Sequence, residues 1–102
     1  MTRGEIWTAR VGNKSRPVLV LTRPEVIDVR QFVTVAEVTT TIRGLAAEVI
    51  LDPEAANLER PSVVNCDGLH TVDQRSLSRK LGSVDHQTLA AVCRAVSYAL
   101  GC

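Results

Sequence analysis

Arg16, followed by Pro17, opens one hydrophobic strand-like run, and Thr39-Thr40-Thr41 closes another after Val38. Neither residue type belongs in a core. A guanidinium stays charged at any physiological pH and presents a planar fork of donors, while a hydroxyl both donates and accepts. Where β-rich runs begin and end, such a pair sits at a sheet rim and can grip an anionic group. The plainer reading is an arginine at the surface and threonines that merely end a strand. Further along, Val64-Asn65-Cys66-Asp67 places two polar side chains around a cysteine, with His70 close behind.

These residues need elements to hold them. Glu5 to Val11 reads as a first strand ended by Gly12-Asn13, and Pro17 to Thr22 as a second, largely buried one. Proline begins a strand but does not sit inside a central one, so Arg16 is expected at the strand's entrance. Phe32 to Thr39 has the β-branched richness of a third strand, in which alternation puts Glu37 and Thr39 on one face while Val38 and Val35 face differently. After a loop from Thr40 to Gly44, Leu45 to Leu51 is a fourth strand, closed by the Asp52-Pro53 turn; the stretch to Pro61 reads as an ordinary loop. Ser62 to Asp67 is a fifth strand, with Asn65 and Asp67 together and Cys66 opposite, in the core. Asp73 to Leu77 suits a short helical turn and Lys80 to Val84 a brief strand. Asp85 is a fitting N-cap for a helix whose Leu89, Val92, Cys93, Val96 and Leu100 recur at helical spacing up to Gly101. The fold class is mainly β with a C-terminal helix, a compact barrel with the helix against it.

The 102 residues form one domain, 1–102, with a single core. Aromatics are only 3%, so Trp7, Phe32 and Tyr98 are isolated and cannot supply the stacking platform by which many RNA modules read bases. A net charge of +1 does not advertise a polyanion partner either, although Lys14, Arg16, Arg23, Arg30 and Arg43 make the first part of the chain locally basic. Cys66, Cys93 and Cys102 are odd in number and far apart, which argues against a disulfide framework or a zinc cluster and for a reducing cytosol. The opening residues lack the apolar core of a signal peptide and no apolar stretch approaches a membrane span, so a cytoplasmic protein without a membrane partner is expected. No phosphate-binding glycine loop, zinc spacing or nucleophile elbow is present.

Five segments in order resemble the MazF/PemK/Kid family of toxins: Arg3 to Trp7, Lys14 to Leu21 with its Arg16-Pro17, Val38-Thr39-Thr40, Val64-Asn65-Cys66-Asp67, and Leu81-Gly82 before the helix. The resemblance covers nearly the whole chain. It implies a small SH3-like β-barrel of the CcdB/MazF/Kid type, a homodimer with RNA along its groove, and a MazE-like antitoxin that blocks that groove. It also implies an endoribonuclease that needs no cofactor and no metal. The ribose 2′-hydroxyl is the nucleophile and the ends are a 2′,3′-cyclic phosphate and a 5′-hydroxyl, from mRNA, tRNA or rRNA, so that translation and growth stop.

In that pattern Arg16 binds the scissile phosphate and Thr39 orients it, with Thr40 as second member of the threonine pair. Asp67 matches the carboxylate assigned to proton abstraction. Relatives carry an arginine where this chain has Asn65, which shifts the charge requirement onto Arg16, and Glu37 stands where relatives often have proline, an alternative base on the Thr39 face. His70, shortly after Asp67, is a third candidate base or a plain solvent-exposed histidine, and Lys14, Thr40, Arg43, Asn65 and His70 complete the expected RNA-binding surface. The short Gly12 to Ser15 connection predicts a more open groove than in relatives. Two other functions fit the scaffold: a non-catalytic, CcdB-like gyrase poison, and an inactive homologue that only binds RNA or an antitoxin.

Overall fold

A computed structural model describes residues 1–102, the side chain of Val11 excepted. Strand β1 (Glu5–Val11) turns back into β2 (Lys14–Val20) through Gly12-Asn13, with Val11 opposite Lys14. Gly12 has φ +64°, the left-handed conformation that a two-residue hairpin turn needs at its first central position. Strand β2 thus starts three residues earlier than expected, and Arg16 lies within it rather than at its entrance. Pro17 is tolerated mid-strand because β2 pairs with its inner neighbour only over Val18–Val20. From Lys14 to Pro17 one side of the strand is an edge, where a missing N–H costs no ladder bond.

A four-residue helix, α1 (Pro24–Ile27), follows, too short to leave a periodic signal in the sequence. Strand β3 (Phe32–Thr39) spans the expected residues, but β4 (Glu48–Leu51) is shorter than predicted. Leu45 to Ala47 are drawn into a turn because the Glu48 carboxylate accepts the backbone N–H groups of Arg43, Gly44 and Leu45. Strand β5 (Ser62–Asp73) is longer than predicted and interrupted: Ala36 faces Leu69 while Glu37 faces Asn65, so Cys66, Asp67 and Gly68 have no partners on β3. This bulge lets one strand serve two stretches of sheet that run in different directions. The expected helical turn is a single 3₁₀ turn, Gln74–Ser76, capped by Asp73; β6 (Leu77–Ser83) and helix α2 (His86–Leu100) complete the chain. Asp85 accepts the Thr88 N–H at 2.8 Å, and Gly101 closes α2 at φ +75°.

The six antiparallel strands run in the order β4-β5-β3-β2-β1-β6. The sheet is curled and barrel-like but not closed, since β4 and β6 are unpaired with each other. The segment after β4 spans the gap instead. Asn57, at φ +57°, donates its side-chain amide to Leu81 O at 2.7 Å, and Gly82 passes so near Ala56 O that a Cβ would overlap it. The stretch from Asp52 is therefore a structural seal rather than an ordinary loop.

Each sheet face carries a buried apolar cluster. One carries Ile6, Leu19, Ala36, Val38, Val64 and Cys66 beneath Val92 and Ala95 of α2; the other carries Ala9, Val18, Val20, Val33 and Val35 with Ile27 and Leu77. Each such Val, Leu or Ile contributes about 1.5–3 kcal/mol by leaving water. Of the helical stripe expected to face the sheet, Val92 is buried, but Cys93 and Leu100 are exposed and Ala95 takes the inward place. Small residues let α2 lie close to the sheet. No helix among the described residues is long and apolar enough to cross a membrane.

Candidate active site

Alternation and register gather the polar candidates on one face. Glu37 on β3 is flanked by Val18 of β2 and Asn65 of β5, and Asn65 is flanked in turn by Glu48 of β4. Directly opposed residues project from the same side of a sheet, about 4.5–5.5 Å apart. His70 opposes Val35, two residues before Glu37; the β2/β3 ladder ends at Val18 and Glu37, and alternation beyond it puts Arg16, two residues before Val18, and Thr39, two after Glu37, on this same face. Arg16, Glu37, Thr39, Glu48, Asn65 and His70 therefore share the face whose other half is the apolar cluster of Val18, Val20 and Val35; Val35, two residues from Glu37, is thus on its face and not on the opposite one as expected, and only Val38 faces away.

Arg16 is exposed and has no hydrogen-bond or ion-pair partner among the described residues, so its whole fork faces solvent. Thr39 is half-buried; its Oγ1 accepts the Thr41 N–H at 3.1 Å, which fixes the side chain and leaves its own O–H to donate outward. Lys14 and Thr40 are exposed on either side of this pair. Glu37 Oε1 lies 2.9 Å from His70 Nε2, with both side chains about one third exposed, at 30% and 37%. Its other oxygen, Oε2, rests against Gly68, where a Cβ would collide with it.

Asn65 and Asp67 do lie together, but through the bulge: Asn65 Oδ1 accepts the Asp67 N–H at 3.1 Å. That contact shapes the backbone and leaves the Asp67 carboxylate exposed, with no partner among the described residues. Arg43 meets the site through its backbone, held by Glu48, with its side chain exposed. Cys66 is buried as expected. Burial, with a smaller contribution from the Asp67 charge, pushes its thiol up to about 11, so it is no nucleophile. Among the described residues no three His, Cys, Asp or Glu side chains are grouped to hold a metal.

Two residues escaped the sequence reading. Glu48 pins the loop that carries Arg43, and its only sequence trace is a carboxylate a few residues beyond Arg43-Gly44-Leu45. Gly68 makes room for Glu37; an isolated glycine inside a strand-like run is the signal of a bulge or a close approach.

A curled antiparallel sheet, backed by one C-terminal helix and ending in an uncovered Arg–Thr–carboxylate face, defines a small sheet-and-helix protein with a polar face open to an anionic ligand. The chain belongs to the family of PemK-like, MazF-like toxins of type II toxin-antitoxin systems, matched over residues 2–100. It is 40% identical to the Mycobacterium tuberculosis protein named Probable endoribonuclease MazF5, over 98% of this chain and 93% of that one. Its fold is similar to the structure of Mycobacterium tuberculosis toxin MazF-mt6, with TM-score 0.89, 40% identity and coverage of 95% and 96%. A mycobacterial endoribonuclease in complex with its cognate antitoxin is similar at TM-score 0.90 and 25% identity, covering 99% of this chain and 95% of that one.

Proposed function

We propose that this protein is the toxin of a toxin-antitoxin pair and cleaves RNA at single phosphodiester bonds, arresting translation. The observation that carries this reading is the unpartnered Arg16 guanidinium on the same face as Thr39, where the β2/β3 ladder has ended and the polar face is uncovered. Arg16 takes the scissile phosphate and stabilises the charge that grows on it during reaction, and the Thr39 hydroxyl fixes its orientation. The 2′-hydroxyl attacks, so a 2′,3′-cyclic phosphate and a 5′-hydroxyl result, and neither metal nor cofactor is required by the chemistry. Proton transfer falls to a carboxylate, Glu37 or Asp67. Lys14, Thr40, Arg43, Asn65 and His70 bind flanking RNA. The names of the relatives, endoribonucleases and one of them held by its cognate antitoxin, support RNA as substrate and a MazE-like protein as partner. A homodimer acting in the cytoplasm completes the proposal.

Incubating the purified protein with total RNA in chelator, then mapping 5′-hydroxyl ends, tests it. Cleavage is expected at defined sites; Arg16→Ala abolishes it with the fold retained, and Thr39→Ala weakens it strongly. Loss of a transition-state charge contact costs about a hundredfold or more in rate. A folded Arg16→Ala protein cutting at the wild-type rate would falsify the assignment.

A further inference from the structure

Glu37 and Asp67 are not equivalent carboxylates. Asp67 is exposed on the bulge and contacts no partner among the described residues. Glu37 stands two residues, about 7 Å along β3, from Thr39, on the face that also carries Arg16, and both of its oxygens are placed. His70, 33 residues away in sequence, meets Oε1 at 2.9 Å. Oε2 occupies the space that any side chain at position 68 would fill. This arrangement depends on the bulge, because an uninterrupted β5 register would set residue 68 directly opposite Glu37 instead of Asn65.

We propose that Glu37 is the general base of the cleavage, resting on the RNA-cleaving reading above, and that His70 and Gly68 are its positioning residues. Glu37 Oε2 takes the 2′-hydroxyl proton as the bond from the 2′-oxygen to phosphorus forms and the bond from phosphorus to the 5′-oxygen breaks. The leaving 5′-oxygen takes a proton from water, and Glu37 returns its proton to the hydroxide so formed. His70 holds Oε1 so that the free oxygen keeps one direction, which a solvated carboxylate such as Asp67 cannot do. A reacting group held in orientation acts at far higher effective concentration than one that must find its geometry.

The test uses a short oligonucleotide containing one mapped cleavage site, with kcat and KM measured separately for each variant and the fold checked by circular dichroism. Glu37→Gln is expected to lower kcat about a hundredfold or more, with KM within about twofold. Gly68→Ala is the sharper probe: the atoms a new Cβ meets are the ends of the Glu37 and Asn65 side chains, not backbone, so the chain folds while the carboxylate is displaced. It is expected to lower kcat about tenfold or more, a larger effect than any on KM through the displaced Asn65 amide. His70→Ala is expected to lower kcat by a similar factor, with any rise in KM reporting its separate contact with flanking RNA, and His70→Gln, whose amide N–H can still donate to Oε1, recovers part of the kcat loss. Wild-type kcat in Glu37→Gln, or the large kcat loss appearing in Asp67→Asn instead, overturns the proposal; wild-type kcat in both Gly68→Ala and His70→Ala overturns the positioning. Absence of cleavage by the unmodified protein overturns the function and this proposal together, and is read from the wild type alone.

Discussion

Replacing Arg16 by lysine keeps the charge and removes the fork. If the guanidinium holds two phosphate oxygens at once, Arg16→Lys lowers kcat/KM by about tenfold or more, short of the loss in Arg16→Ala. Equal rates for lysine and arginine would show that a point charge suffices. Glu48 tests a different kind of residue, one that holds backbone rather than substrate. Its Oε1 accepts three consecutive N–H groups at 2.8–3.2 Å, and Glu48→Ala leaves them to water. A loss of about 1–2 kcal/mol in urea unfolding is expected, along with faster amide exchange confined to residues 43–45. At this scale the sequence announces Arg16 and Thr39, because each breaks a hydrophobic run. The Glu37–His70 pair is silent in it, since nothing local says that position 37 will meet position 70.

Element by element, what could be read was what local chemistry decides. β-Branched richness defined β3, Asp85 and Gly101 bracketed α2, and Gly12-Asn13 marked the end of β1, though not that β2 restarts at once at Lys14. What could not be read was set by partners distant in sequence. Pro17 sits inside β2 only because the β2/β3 ladder ends at Val18, and β5 continues past Asp67 only because a bulge carries it to a second stretch of β3. Leu45 to Ala47 look like strand and are turned by Glu48. Gly82 is the element-scale test of how the open sheet is sealed. A methyl group there would meet the Ala56 carbonyl, which is backbone and cannot rotate away. Gly82→Ala is therefore expected to cost about 1–3 kcal/mol and to free Asn57 from Leu81 O, seen as a lowered Tm and as proteolytic nicking between residues 52 and 61.

For the molecule as a whole, three carboxylates tie stability to pH in one direction. Hydrogen bonds from Arg75 and Gln31 hold Asp73 well below its ordinary 3.8, and hydrogen bonds from Thr88 lower Asp85. Burial pushes Glu5 up, but hydrogen bonds from Lys80, the Thr2 N–H and Trp7 outweigh it and leave the carboxyl below 4.5. Groups whose folded values are depressed stabilise the fold above their ordinary values, and that contribution is lost as pH falls through the folded ones. The urea midpoint should stay level from neutral pH to about pH 5 and fall below it, with a shallower fall in Asp73→Asn. An unaltered acid limb in that variant would place the sensitivity elsewhere. The buried thiol of Cys66 has a use at this scale too. It lies between β5 and α2, with Sγ 3.9 Å from Val92 O, while Cys93 and Cys102 are open to solvent. A thiol-reactive dye will therefore label two positions at once and the third only when the helix lifts from the sheet. The slow phase of labelling is a clock for that detachment, and its slowing when RNA or a partner protein is added would report clamping of the helix without any measurement of cleavage.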